Sequence, residues 1–137
     1  MSTNIITIRD IEKPLKPDTV QDIVWICKSF GFVSSRDIEE TAGKIFHSII
    51  LAAHEGKELT SEVIAEKSDV TRGTALFHLK DYIDSGLVIQ KKTKYTLRRR
   101  RISGTIEEIE VDAQRMLDNI KRIARELDAR LKLYERS

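Results

Sequence analysis

The sequence predicts a mainly α fold that carries a small β-hairpin and ends in a long, coiled-coil-like C-terminal helix. Three observations lead to this class. Apolar residues recur at helical spacing between positions 18 and 85, two short runs rich in Val, Ile, Tyr and Thr occupy 87–98, and a heptad pattern fills the segment after position 102. The chain has 137 residues, which is the length of about one compact domain.

The N-terminal part is predicted to form an edge strand and two helices. The alternating stretch NIITIRD is typical of a strand, and the two prolines that follow it prepare a helix start. Apolar residues then follow at helical spacing over 18–30, with Gly31 as an end signal. The motif SSRD at 34–37 offers a serine N-cap for a second helix, which ends near HEG at 54–56.

A pair of closely spaced helices is predicted next. The first, TSEVIAEKS, begins at Thr60, and a brief turn leads into TRGTALFHLKDYIDSGLV at 71–88. In the second helix one face should be buried and the opposite face should stay free, because apolar and polar residues separate at helical spacing. The buried face holds Ala75, Leu79, Tyr82 and Ile83, and the free face holds Gly73, Phe77, Lys80, Asp81 and Asp84.

A hairpin with a basic tip is predicted to follow, because LVIQK at 87–91 and KYTLR at 94–98 are β-prone runs around two turn residues. The stretch KKTKYTLRRRR contains seven Lys and Arg residues and no acid, although the whole chain has a formal charge of only +2. Such a concentration of charge can attract a polyanion. The alternatives are a solvated basic hairpin and, for Arg99 to Arg101, salt bridges with the acidic start GTIEEIE of the last helix.

The last segment is predicted to be a single helix from 104 to 135, about 48 Å long. Its apolar residues alternate at steps of four and three, which is the spacing of a coiled-coil seam. Leu117 and Leu131 widen this seam and are candidates to pack on the helix at 18–30 of either subunit. The alternative is a helix that folds wholly onto its own domain. The predicted dimerisation residues are Ile106, Ile109, Met116, Ile120, Ile123 and Leu127.

Positions 59–98 resemble the winged helix-turn-helix transcriptional regulators of the ArsR-like and MarR-like class, most of all archaeal members with a C-terminal dimerisation helix. The residues that carry the resemblance are LTSEVIAEKSDVTRGTALFHLKDYIDSGLVIQKKTKYTLR, which give a short helix, a recognition helix ending in GLV, and a two-stranded wing. The resemblance implies an N-terminal extension and helix on the dimer core at 1–33, a DNA-binding domain at 34–101 and a dimerisation helix at 102–137.

The resemblance also implies a DNA-binding surface, with the start of the recognition helix in the major groove and the wing on the flanking groove or backbone. Helix-start hydroxyls and the positive dipole end favour a phosphate. Arg72 is predicted to contact guanine with two hydrogen bonds, and its alternatives are a phosphate or an intramolecular acid. Phe77 stands where many relatives present a polar base-reading residue. The predicted DNA-binding residues are Thr71, Arg72, Thr74, Phe77, His78, Lys80, Lys91, Lys92, Lys94 and Arg98.

The sequence therefore predicts a homodimeric protein that binds double-stranded DNA sequence-specifically and regulates transcription. The alternatives are a chromatin-type protein without sequence preference and a winged helix used for protein contact. No nucleophile elbow, phosphate loop or paired-histidine motif is present, so neither an enzyme nor a cofactor is expected. His47 and His54 are about 10 Å apart on one helix, and Cys27 fits a buried stripe, so no metal is expected. We expect a cytoplasmic protein with no membrane contact, and control by a small molecule stays open.

Overall fold

The computed structural model describes residues 6–31 and 36–131, with the side chains of 36–39 excepted. In this part of the chain the structure is mainly helical, with a three-stranded antiparallel sheet and a long C-terminal helix, which confirms the predicted class at that level. The elements in chain order are α1 (Thr19–Ser29), α2 (Arg36–His54), β1 (Leu59–Thr60), α3 (Ser61–Ser68), α4 (Arg72–Ser85), β2 (Val88–Lys91), β3 (Lys94–Leu97) and α5 (Ile102–Leu131).

The segment before α1 does not form the predicted strand at positions 6–17, and the first two residues of the NIITIRD stretch lie outside the described residues. Instead, this segment lies along α1. The backbone N–H of Arg9 donates to the carbonyl of Ser29 at 2.7 Å, and the indole N–H of Trp25 donates to the carbonyl of Ile11 at 3.2 Å. The backbone of this segment therefore finds partners on a helix rather than in a ladder.

Side-chain N-caps start three of the helices within one residue of the predicted positions. Asp18 accepts a hydrogen bond from the backbone N–H of Gln21, and Thr60 accepts one from Val63. Thr71 caps α4 in the same way. Each cap satisfies one of the N–H groups that the first turn of a helix leaves unpaired. The predicted serine cap of the second helix lies outside the described residues.

The core is built around α2, which contacts α1, α3, α4 and β3. Phe46 of α2 stacks on Tyr82 of α4 with ring centroids 5.0 Å apart. The Tyr82 hydroxyl donates to the carbonyl of Ala42 at 2.5 Å and lies 3.6 Å from the Sγ atom of Cys27 in α1. A single aromatic residue thus ties α4 to both helices behind it. Other fully buried side chains of this core are Ile45, Ile49, Ile64, Leu79, Leu87 and Val88.

The sheet has the strand order β1-β3-β2, and all of its pairings are antiparallel. β2 and β3 form the predicted hairpin, in which Val88 pairs with Leu97 and Lys91 with Lys94. Its turn has no glycine, and Lys92 takes the left-handed conformation with φ at 57°. The Gln90 side-chain amide donates to the Lys92 carbonyl at 2.8 Å and so holds that turn. β1, which is only two residues long, was not predicted because no alternation can be recognised over so short a run.

The long helix α5 begins at Ile102 and divides into an anchored half and a free half. Ile109 is 2% exposed and belongs to the core of its own chain, with Ile102 and Ile106 packed against it. From Leu117 to Leu131 the same apolar stripe lies exposed. Ile109, predicted to be a dimerisation residue, is therefore buried before any partner binds, because the first turns of α5 cover the domain. Within the described residues, no helix is long and apolar enough to cross a membrane.

Candidate nucleic-acid interface

α4 exposes the face that the sequence pattern predicted. Ala75, Leu79 and Tyr82 are buried, and Ile83 packs against the core. The exposed residues on the opposite side recur at steps of four and three, so they form one stripe along the helix. This stripe includes Gly73, Phe77, Lys80 and Asp84, whereas Asp81 is half-buried. A partner can therefore reach α4 along its full length.

The N-terminus of α4 points its backbone into solvent. Thr71, the N-cap, accepts a hydrogen bond from the Thr74 N–H at 3.1 Å, and the two hydroxyls lie 3.0 Å apart. Thr71, Arg72 and Gly73 are all exposed. A Cβ at Gly73 would meet only the Thr71 hydroxyl, at 4.0 Å, so the space beside the first turn is open. Free N–H groups and the helix dipole make this end suitable for a phosphate group.

Arg72 is held by residues of α3. Its Nε atom donates to the Ser61 hydroxyl at 3.2 Å and forms an ion pair with Oε1 of Glu62 at 3.0 Å. The Ser61 hydroxyl in turn lies 3.4 Å from Oε2 of Glu62. Of the roles predicted for Arg72, the intramolecular acid contact is thus present. Neither Ser61 nor Glu62 was predicted, although an acid in the first turn of a helix ten residues before an arginine was visible in the sequence.

His78 and Phe77 lie next to each other but in different environments. His78 is only 5% exposed, whereas Phe77 is 65% exposed and meets the His78 ring edge-on at 5.3 Å between centroids. Burial lowers the pKa of His78, and the neighbouring Asp81 opposes that effect. A buried neutral imidazole cannot contact DNA without rearrangement of α4. The structure therefore places His78 among the packing residues, and it leaves Phe77 on the exposed stripe.

The hairpin tip carries the exposed lysines. Lys91 forms an ion pair with Glu58 at 3.0 Å between Nζ and Oε2. Lys92 and Lys94 are exposed, and neither forms an ion pair within the described part of the chain. Lys91 and Lys94 face each other across the strands, where like charges repel at close range. Glu58 relieves this repulsion at Lys91, so the uncompensated positive charge lies on Lys92 and Lys94.

Arg98 points away from the hairpin tip and into the start of α5. Its guanidinium contacts Oε1 of Glu108 at 2.9 Å and Oδ2 of Asp112 at 2.5 Å. The hydrogen bond from Arg98 lowers the pKa of Asp112. Arg99 also pairs with Glu108, and Arg100 donates to the carbonyl of His54 at 3.2 Å. Of the three arginines in the salt-bridge alternative, Arg99 thus pairs with the acidic start of α5, and Arg100 contacts the end of α2 instead. Arg98, predicted to contact DNA, is engaged with Glu108 and Asp112 inside the chain.

A groove joins the exposed stripe of α4 to the hairpin. It encloses about 240 Å³, and Lys80 and Asp84 of α4 line it together with Gln90 and Tyr95 of the hairpin. The C-terminal half of the α4 stripe therefore adjoins the strands of the hairpin at Gln90 and Tyr95, the pair next to its lysine-bearing turn. The donors of α4 and the hairpin are helix-start amides, hydroxyls, one arginine and exposed lysines, which are groups that bind phosphates and base edges. The same surface also carries the carboxylates of Asp84 and of Glu62, the partner of Arg72.

Metal-ligating and thiol groups can be located among the described residues. No group of three or more His, Cys, Asp or Glu side chains among them is placed to hold a metal ion. Cys27 is fully buried, and burial raises the pKa of its thiol to about 11, so it stays protonated at neutral pH. A protonated, enclosed thiol is a poor nucleophile and a poor metal ligand.

Comparison with known proteins gave no relative: no family model, no curated protein and no solved structure matches this chain.

Proposed function

We propose that this protein is a winged helix-turn-helix transcription regulator that binds double-stranded DNA sequence-specifically as a homodimer. In this proposal α4 is the recognition helix in the major groove, and the β2–β3 hairpin is the wing on the flanking groove or backbone. The observation that carries the proposal is the exposed stripe of α4, which begins at an open helix N-terminus and adjoins the strands of a hairpin whose turn bears two uncompensated lysines.

The connection between α3 and α4 supports a helix-turn-helix. α3 ends at Ser68 and α4 begins at Arg72, so a turn of three residues joins them, as in that motif. Asp69 takes the left-handed conformation with φ at 56°, which closes α3 and turns the chain sharply. A recognition helix needs one face packed on its own domain and the opposite face free for DNA. The buried side chains of Tyr82 and Leu79 pack α4 on its domain.

The free half of α5 supports a homodimer. Leu117, Ile120, Ile123, Leu127 and Leu131 are each between 46% and 64% exposed and form one stripe. An apolar stripe of this length has the spacing of a two-stranded coiled coil. Two copies joined there would present two recognition helices, which fits an operator with two half-sites about one duplex turn apart.

The test is a binding titration with the purified protein and fluorescent duplex DNA at several salt concentrations. Sequences recovered from a random pool serve as competitors. We expect a steep fall in affinity with salt and enrichment of an inverted repeat. Steep salt dependence without enrichment would indicate a chromatin-type protein, and no binding at low salt would contradict a DNA role.

Lysine variants make this test specific to the surface described. Lys92→Gln combined with Lys94→Gln should lower the salt slope by about 2, because each lost phosphate contact lowers it by about 0.9. The matched control is Lys13→Gln with Lys16→Gln, which removes the same charge from the exposed N-terminal segment. Equal salt slopes for the two double variants would mean that the hairpin lysines do not contact DNA.

One observation favours a second function, a winged helix that docks on another protein. Phe77 is 65% exposed at the centre of the α4 stripe, and exposed aromatic residues are frequent anchors of protein interfaces. On DNA the same ring would contact a thymine methyl group or a sugar. Phe77→Ala separates these functions: a modest loss of DNA affinity supports the first, and unchanged DNA binding removes Phe77 from the DNA interface.

A further inference from the structure

We propose that Glu62 is a specificity-determining residue: it holds Arg72 by one nitrogen so that the rest of the guanidinium is ready for a base, and its charge disfavours duplex that offers no such base. The inference rests on the DNA-binding function proposed above and deepens it. It assigns discrimination between DNA sequences to a pair of residues rather than to Arg72 alone.

The guanidinium of Arg72 uses only one of its three nitrogens for contacts within the described part of the chain. Both contacts of its guanidinium, to Ser61 and to Glu62, use the Nε atom. The two terminal nitrogens make no hydrogen bond to the described part of the chain, and the Arg72 side chain is 61% exposed. A guanidinium that is bound through Nε still offers two parallel N–H groups, which match the O6 and N7 atoms of guanine.

Two residues at the start of α3, Ser61 and Glu62, hold Arg72. Glu62 lies in the first turn of α3, where the helix dipole favours a carboxylate, and Thr60 caps the same turn. A hydrogen bond from its own backbone N–H is the main cause that lowers the pKa of Glu62, ahead of the Arg72 charge. Ser61, the other partner of Arg72, is buried. The buried Ser61 hydroxyl is therefore fixed by α3, the Glu62 carboxylate lies beside it with its side chain 64% exposed, and the Arg72 Nε atom is bound by both.

The contact between Glu62 and Arg72 should affect DNA binding in two ways. A free arginine side chain has large rotamer entropy, which it loses when it contacts a base, and an arginine already held in place loses less. On non-specific duplex the dominant attraction is between cations and phosphates. There the nearby Glu62 carboxylate offsets the charge of Arg72. The pair thus favours a correctly placed guanine and reduces the electrostatic attraction to all other sequences.

The experiment compares Glu62→Gln with Glu66→Gln in the full-length protein. Both variants remove one exposed acid from α3, but Glu66 makes no ion pair with Arg72. Dissociation constants are measured at several salt concentrations for the best duplex from the random pool and for a random-sequence duplex. We expect Glu62→Gln to tighten random-duplex binding about threefold and to lower the ratio between the two constants about fivefold.

The control and a double variant decide the result. Glu66→Gln should change both constants by the same factor, and the effect of Glu62→Gln on the ratio should vanish when Arg72→Ala is also present. If Glu62→Gln leaves the ratio of the two dissociation constants unchanged while the protein still binds its selected sequence, this inference alone is overturned. A wild-type protein that binds no duplex at low salt would overturn the proposed function and this inference with it.

Discussion

Tyr82 shows how much of the α4 position depends on one side chain. Its ring stacks on Phe46 of α2, its hydroxyl donates to the Ala42 carbonyl, and the thiol of Cys27 in α1 lies against the same oxygen. The apolar spacing of α4 predicted that Tyr82 is buried. It could not predict the hydroxyl partners, because they lie 40 and 55 residues away in the sequence. The partners of Arg72 and Arg98 lie only 10 to 14 residues away, but they belong to other helices, whose approach the local pattern does not report.

Tyr82→Phe should lower the free energy of unfolding by about 1 kcal/mol, because it removes a buried hydrogen bond and keeps the stacked ring. Urea denaturation followed by circular dichroism measures the change. Tyr95→Phe is the matched control, since Tyr95 is also buried but its hydroxyl has no hydrogen-bond partner in the described part of the chain. Equal losses from the two variants would mean that the Ala42 contact contributes nothing.

His78 predicts a pH dependence of stability. Because burial lowers its pKa in the folded protein, the unfolded chain binds a proton more readily than the folded one. The contribution of the neutral imidazole is complete above the unfolded value of about 6.5 and is lost as the pH falls from there through the folded pKa. Unfolding free energies measured between pH 7.5 and about 5 should fall in the wild type.

His78→Gln should flatten this acid limb, because no imidazole remains to take up a proton. His54→Gln, at an exposed position at the end of α2, is the control and should keep the wild-type profile. A His78→Gln profile that still falls like the wild type would assign the acid limb to another group.

At the scale of elements, the junction of the hairpin with α5 is the part that the sequence predicted least well. The heptad pattern indicated one continuous seam, and α5 is indeed one helix from Ile102 to Leu131 in the described residues. Periodicity reports which face is apolar, but it does not report what covers that face. The anchored half became visible only through Ile109 in the core and through the Arg98 contacts to Glu108 and Asp112.

Gly86 permits this junction. Its φ is 87°, and a Cβ there would lie 3.3 Å from the Arg98 guanidinium and 3.6 Å from the Ile109 side chain. The glycine therefore ends α4 in the left-handed conformation and also lets α5 and its arginine approach closely. The sequence suggested Gly86 as the end of a helix, and the second role depends on a contact with residues that lie far along the chain.

Arg98→Ala should weaken the attachment of the start of α5 and lower the free energy of unfolding by about 2 kcal/mol, because it removes charge-assisted hydrogen bonds to two partly buried carboxylates. Glu108 keeps its pair with Arg99 and Asp112 keeps its pair with Arg115, so the start of α5 should stay folded. Thermal denaturation measures this loss. The salt dependence of DNA binding should stay as in the wild type, since the Arg98 charge is used inside the chain. Arg101→Ala is the control, with an exposed side chain and no ion pair in the described residues. A reduced salt slope with normal stability would restore Arg98 to the DNA surface.

At the scale of the whole molecule, two exposed surfaces among the described residues bear on the proposed function: the stripe of α4 with the adjoining hairpin, and the free half of α5. The first combines Lys80, Asp84 and the hairpin lysines with the exposed ring of Phe77, and the second is apolar. The boundaries of α1, α3, α4 and the hairpin follow from capping residues and local periodicity, so the sequence predicted them closely. The division of α5 and the loss of the N-terminal strand depend on three-dimensional packing, for which the sequence has no local signal.

Ile120→Asp combined with Ile123→Asp should dissociate the proposed dimer, because two buried carboxylates at the seam would weaken association about a hundredfold or more. Sedimentation equilibrium measures the mass. Ile109 is not suitable for this test, since it is buried in its own domain and a charge there would disrupt the core itself. Val111→Asp is the control on the opposite face of α5, where Val111 is already 67% exposed. A double variant with unchanged mass would exclude the free half of α5 as the dimer seam.

The free half of α5 has a consequence for what counts as the folded molecule. Residues 117–131 extend α5 by about four helical turns beyond its anchored half, and helical turns without tertiary packing are only marginally stable in water. In the proposed dimer, another chain covers their apolar stripe. If that chain is a second copy, dilution removes both the pairing and the last turns of the helix. The ordered part of the chain would then be shorter at low protein concentration and longer at high concentration. The concentration of the protein would therefore determine how far α5 extends.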